Sequence, residues 1–153
     1  LSKESDYDLQ SASISSAYVS AFYNYVRSEL NYGQGKIYNP EIDVFKWWDF
    51  KHAQPGQNFA SPAAPNVMPD IADAMKYNPN LKILVNGGYY DLATPYYEGW
   101  YEMHHLPIPA KLQNNIQYHY YESGHMVYAH EDSLHQLHDN VAAFIRSTQN
   151  SQQ

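Results

Sequence analysis

Hydrophobic and polar positions along the chain change period several times. From about Ser13, the mostly apolar set Ile14, Tyr18, Ala21, Phe22, Tyr25, Val26 and Glu29 repeats every 3.6 residues, predicting an amphipathic helix with one core-facing stripe. Ser11 or Ser13 is a suitable N-terminal cap, and Gly33 a suitable stop. Residues 1–10 are polar and read as a frayed lead-in. Residues 33–66 carry no period. Pro40, Pro55, Pro62 and Pro65 interrupt them and Gly33, Gly35 and Gly56 loosen them, so they read as a long structured loop. Trp47 and Trp48 within it are expected to pack onto the domain, with a substrate cleft as the alternative lining.

The second half alternates. A short helix is predicted over 66–78, with Asn66 as cap, Pro69 in the first turn, a face of Ile71, Ala74, Met75 and Asn78, and Pro79 as stop. Residues 81–86 then read as a buried strand, because only Lys82 and Asn86 are polar, and Gly87-Gly88 is expected to end it. Thr94-Pro95 opens another helix, with Thr94 as its cap and Tyr97, Trp100, Tyr101 and His104 on one face, closing near Pro107 and Pro109. Residues 115–121 form a second strand, rich in Ile and Tyr. A last helix runs from about Asp132 on a stripe of Leu134, Leu137, Val141, Phe144 and Ile145, and the last eight residues are expected to fray.

Helix–strand–helix–strand–helix is the order of a parallel α/β sheet with crossover helices. Two strands are few for such a sheet and leave unpaired edges. The expected architecture is therefore a C-terminal portion of a larger α/β core (67–153), preceded by a cap-like helix and loop (1–66). A chain that opens at Leu1, without an initiator Met or signal-peptide pattern, agrees with a piece of something larger.

Composition narrows the function. A net charge of −7 and the absence of any Lys/Arg cluster argue against nucleic-acid and anionic-membrane binding. With no cysteine, disulfides and thiolate metal sites are excluded. No apolar run approaches the roughly 20 residues that span a bilayer. An aromatic content of 16 % is enough to build a core or a binding surface.

Two loops carry the candidate chemistry. Asn86-Gly87-Gly88-Tyr89-Tyr90-Asp91-Leu92-Ala93-Thr94-Pro95 follows the first strand, and Glu122-Ser123-Gly124-His125-Met126-Val127-Tyr128 follows the second. Each offers one acid–base residue at the C-terminal end of a parallel strand, where open α/β sheets bind ligands. Adjacent strands lie about 4.8 Å apart, so the Asp91 carboxylate comes within reach of the His125 imidazole. The alternative for each is an ordinary surface residue, with Asp91 in a helix-capping turn. Acid before histidine is the α/β-hydrolase order, which requires an earlier Gly-x-Ser-x-Gly elbow. No serine here has that setting. His130, His135 and His138 are more simply solvated than metal-bound. Tyr96, Tyr97, Trp100 and Tyr101 are more simply packed on the sheet than a sugar platform, and Glu122 more simply solvated than a second carboxylate partner.

The segment 82–95, with Gly-Tyr-Tyr-Asp-Leu-Ala-Thr-Pro, together with 122–128 resembles the end of bacterial members of the serine carboxypeptidase family. The resemblance extends more weakly to the three helical segments at 18–32, 69–79 and 134–145. It implies an α/β-hydrolase fold, Asp91 and His125 as catalytic residues, and Met126 as a residue lining the leaving-group pocket. It further implies removal of C-terminal residues from peptides without metal or cofactor, and a periplasmic or secreted location. The serine, the oxyanion hole and the groups recognising the substrate carboxylate would lie on an N-terminal segment of the same polypeptide, leaving this chain inactive alone. Two alternatives stay open: a non-catalytic, aromatic-rich interaction module, and an acyltransferase or esterase of the same family.

Overall fold

The computed structural model describes residues 9–40, 42, 44–61 and 65–149. The chain divides into two compact units, Leu1–Asp49 and Phe50–Gln153.

The first unit is built on α1 (Leu9–Ser28). The helix begins before Ser11 and Ser13, the two expected capping positions, and only 1–8 of the expected lead-in lie outside the described residues. It ends before Gly33. Asn31 takes the left-handed conformation with φ 50°, which asparagine tolerates, and Tyr32 N–H reaches back to the Val26 carbonyl at 3.0 Å. The apolar stripe forms as a stripe but not as a core face. Phe22 and Tyr25 are each 52 % exposed, and no described side chain of this unit is buried. One helix and a loop supply no second layer to close on. Local contacts take the place of a core. Tyr38 meets Phe22 and Tyr23 at ring distances of 5.8 and 6.0 Å, and the Arg27 guanidinium lies 4.5 Å from the Tyr23 ring centroid. The following loop holds one 3-10 turn, Val44–Lys46. Trp47 and Trp48 stay 84 % and 63 % exposed, contrary to the packing expected of them.

The second unit is a small α/β domain. Its elements are α2 (Met68–Tyr77), β1 (Ile83–Gly88), α3 (Tyr96–His104), α4 (Ala110–Gln113), β2 (Ile116–Tyr121) and α5 (Glu131–Gln149). Strands β1 and β2 pair in parallel, with Ile83 opposite Ile116 and Gly88 opposite Tyr121. The alternation of elements predicts this pairing. The short α4 has too little sequence to show a period, and α5 runs three residues beyond Arg146; residues 150–153 lie outside the described set.

The core lies against one face of the sheet. It comprises Ala72 and Met75 of α2, Met103 and Leu106 at the end of α3, Leu112 of α4 and Ile116 of β2, with Ile83, Val85 and Tyr118 packed against it. Helix α2 buries Ala72 rather than the expected Ala74. Asn66 Oδ1 accepts from Met68 N–H at 3.0 Å, and Pro69 lies in the first turn. Strand β1 starts two residues later than its hydrophobic run and includes Gly87 and Gly88. Its apolar residues are half-buried rather than buried, because among the described residues β1 has a strand neighbour on one side only.

Helix α5 contacts both strands. A polar chain joins all three: Asn140 Nδ2 donates to Tyr121 Oη at 3.1 Å, and Tyr121 O–H donates to Asn86 Oδ1 at 2.8 Å. Of the expected α5 stripe, Leu137, Val141 and Phe144 are half-buried, whereas Leu134 and Ile145 are exposed, and Ser133 is the residue sealed in.

Because Met75 is fully buried, Met75→Ala is expected to cost about 2–5 kcal/mol of stability, whereas Ala74→Ser on the exposed side changes it by less than about 0.5 kcal/mol. Chemical denaturation of the two variants checks the face assignment.

Candidate active site

The last hydrogen bonds of the β1–β2 ladder lead directly into the two loops. Tyr89 N–H donates to the Tyr121 carbonyl at 2.9 Å, Tyr90 N–H to the Ser123 carbonyl at 3.0 Å, and Asp91 N–H to the Gly88 carbonyl at 3.2 Å. The loops therefore leave the sheet side by side. Their closeness needs glycine at 88: a Cβ there would sit 2.3 Å from the carbonyl oxygens of both Ser123 and Gly124. Only a residue without a side chain lets the two backbones approach this far.

Asp91 and His125 meet. The imidazole Nδ1 lies 2.9 Å from Asp91 Oδ2. An ionised carboxylate only accepts, so Nδ1 carries the proton, and Nε2 of the neutral ring is left with its lone pair. The Asp91 side chain is 6 % exposed and that of His125 50 %. The acid is enclosed while the imidazole faces outward, so the pair can hand a proton to or from a group arriving at Nε2.

The carboxylate is saturated by its own loop. Oδ1 accepts from Ala93 N–H at 2.8 Å and Thr94 N–H at 2.9 Å, and Oδ2 accepts from Thr94 Oγ1 at 2.8 Å as well as from the histidine. Burial alone would raise the Asp91 pKa. The hydrogen bonds from the Thr94 amide, His125, the Thr94 hydroxyl and the Ala93 amide outweigh it and hold the carboxyl well below the usual carboxylate range. Thr94 is not the helix cap its position suggests. Pro95 occupies that position, α3 has no side-chain cap, and the hydroxyl serves Asp91 instead. The Asp-x-x-Thr spacing carries the signal for this, since Asp and Thr side chains commonly bond backbone and side chains a few residues on.

Met126 follows the histidine, half-buried, and its carbonyl accepts from Ala129 N–H at 2.9 Å. A cavity of about 390 Å³ reaches Asp91 and Thr94 from the β1 side, with Asn86, Tyr96, Glu98 and Tyr120 in its lining; Met126 is not among the lining residues.

The aromatic positions of α3 divide between packing and exposure. Tyr96 packs edge-on against Tyr120 at 5.1 Å, and Trp100 stacks on His104, which stacks on Tyr118. Tyr97 and Tyr101 remain 59 % and 46 % exposed. The hydroxyls of Tyr118 and Tyr120 are buried without a hydrogen-bond partner, and burial raises both phenol pKa values. His130 pairs with Ser133 at 2.8 Å and His138 with Asp139 at 3.0 Å; among the described residues no three His, Asp or Glu side chains converge to hold a metal. Glu122 is exposed. A second acid–imidazole pair, which no motif signals, joins His52 Nε2 to Asp70 Oδ2 at 2.9 Å. It fastens the loop closed by the His52–Ser61 bridge to the first turn of α2.

No protein-family model, curated protein or solved structure matches this chain.

A carboxyl whose pKa is lower folded than unfolded adds stability above its ordinary value, 3.8, and that contribution is lost as pH falls through the window below it. Asp91→Asn is accordingly expected to lose about 1–3 kcal/mol at neutral pH, with the gap to wild type narrowing as the pH drops below that value. Unfolding curves across pH 2–7 read both signs. Gly88→Ala is expected to separate the loops and abolish the downfield imidazole N–H signal of a histidine bonded to a carboxylate; retention of that signal in the folded variant would show that the loops accommodate the methyl group.

Proposed function

We propose that this chain is the C-terminal, acid–base part of a serine-type carboxypeptidase with an α/β-hydrolase fold. The observation that carries the reading is the 2.9 Å bond between a buried Asp91 and a half-exposed His125 on the C-terminal ends of adjacent parallel strands. In that reading a serine supplied by an N-terminal segment of the same polypeptide attacks the scissile peptide carbonyl. His125 Nε2 takes the hydroxyl proton and passes it to the leaving amine, and the acyl-enzyme is then released by water through the same imidazole. Asp91 holds the ring and stabilises its charged form. Met126 borders the leaving group. Neither metal nor cofactor takes part in this chemistry.

The open edge of β1 supports a missing partner segment. Ile83 and Tyr89 direct their amides to β2, so the alternate residues Leu84 and Asn86 turn theirs to the unpaired side. Among the described residues no third strand covers that side. A parallel sheet is ordinarily paired and layered, and a strand added there would end beside the Asp91 loop. A periplasmic or secreted site of action belongs to the same proposal; among the described residues no helix is long and apolar enough to cross a membrane.

A second reading has its own support. Tyr90, Leu92 and Tyr128 around the dyad are 65 %, 95 % and 51 % exposed, as in a surface that binds a protein without chemistry. An esterase or acyltransferase would use the same dyad on a different acyl group.

The chain alone is expected to remain unlabelled by a fluorophosphonate serine probe. Joined to the polypeptide encoded upstream of Leu1, it is expected to release C-terminal residues from N-blocked peptides, with Asp91→Asn and His125→Ala each lowering kcat by about 10³–10⁴-fold. Labelling of this chain by itself, or an upstream frame that encodes no serine elbow, would overturn the reading. Activity on esters but not on peptides would transfer it to the third class.

A further inference from the structure

We infer that Thr94 is a positioning residue that sets the tautomer of His125 by orienting the Asp91 carboxylate through both of its oxygens. The inference rests on the proposed role of the Asp91–His125 pair and extends it to a residue that helix-capping rules place elsewhere. Thr94 contributes an amide to Oδ1 at 2.9 Å and a hydroxyl to Oδ2 at 2.8 Å. One residue thereby fixes the plane of the carboxylate. The same hydroxyl oxygen lies 3.4 Å from His125 Nδ1. Since the Nδ1 proton points to Oδ2, the hydroxyl cannot donate to Nδ1. It gives its own proton to Oδ2 and presents a lone pair to the edge of the Nδ1–H bond. The three groups form a closed triangle in which each proton has one place.

The hydroxyl has no competing structural duty. It does not cap α3, whose N-terminus has no side-chain cap bond, and the residue is otherwise exposed. β-Branching restricts χ1, which favours the rotamer that directs the hydroxyl to Oδ2. Tyr96, Glu98 and Tyr120 line the same cavity as Asp91 and are unchanged by the substitutions that test this assignment.

Thr94→Val keeps the shape and removes the hydroxyl, and Thr94→Ser keeps the hydroxyl. Imidazole ¹⁵N shifts of His125 in this chain, taken at about pH 9 where an ordinary imidazole is neutral, read the tautomer ratio directly. Wild type and Thr94→Ser are expected to hold the Nδ1–H form, whereas Thr94→Val raises the proportion of the Nε2–H form roughly three- to tenfold, the equivalent of one net hydrogen bond. Solvent exchange of the Nδ1 proton is expected to quicken in the same variant. A Thr94→Val protein with the wild-type ratio and exchange rate overturns the inference, even if its thermal midpoint falls, because that is the signature of a merely structural side chain. Asp91→Asn serves as the separate control. If it leaves the His125 tautomer unaltered, the dyad itself fails, whatever Thr94 does.

Discussion

The parallel pairing of β1 with β2 is the constraint from which the remaining geometry follows. Its register sets Gly88 opposite Tyr121, so both strands end at the same level and both loops start together. A slip of one residue would turn every side chain to the other face of the sheet. It would also move Asp91 away from His125, because the carboxylate is carried only three residues beyond the last paired position. The absence of a Cβ at Gly88 then lets the loops touch, and the Asp91 carboxylate organises its own turn by accepting two amides and a hydroxyl. The geometry of the candidate site is thus a consequence of backbone pairing, with side chains adding orientation.

The same sheet shows where the fold is open. One face carries the α2–α3–α4 core and the other meets α5 through the Asn140–Tyr121–Asn86 chain. Layering is therefore complete at right angles to the sheet and incomplete in its plane. That asymmetry accounts for strand residues that are apolar in sequence yet only half-buried. Exposed Leu92 and Tyr90 flank the acid whose own side chain is enclosed.

Periodicity located the elements because packing on a single layer leaves a 3.6- or two-residue trace. It was weaker on boundaries and on burial. The α1 stripe has the spacing of a core helix, but burial depends on a partner layer, and none of the described side chains in its unit is buried. On α2, Ala72 and Ala74 lie on nearly opposite sides of the helix, and a run of similar small and apolar residues does not specify which of the two sides is buried. Thr94 is the instructive case. Its place before Pro95 fits a cap, in which the hydroxyl would accept from a helix N–H; instead the hydroxyl donates to the carboxylate three residues back, a charged and stronger acceptor. The His52–Asp70 pair joins residues 18 apart, and nothing local to either residue indicates it.

By itself the sequence determined the order of helices and strands, the parallel class of the sheet, the acidic and cysteine-free character of the chain, and the two glycine-bearing loops with one acid–base residue each. These are properties of local spacing and composition. Only the tertiary structure decided that Asp91 and His125 are hydrogen-bonded at 2.9 Å, that the acid is enclosed while the imidazole is open, and that the Thr94 hydroxyl bonds the same carboxylate. Those facts depend on strand register and loop approach across 34 residues of chain, and contacts at that separation leave no period in the sequence.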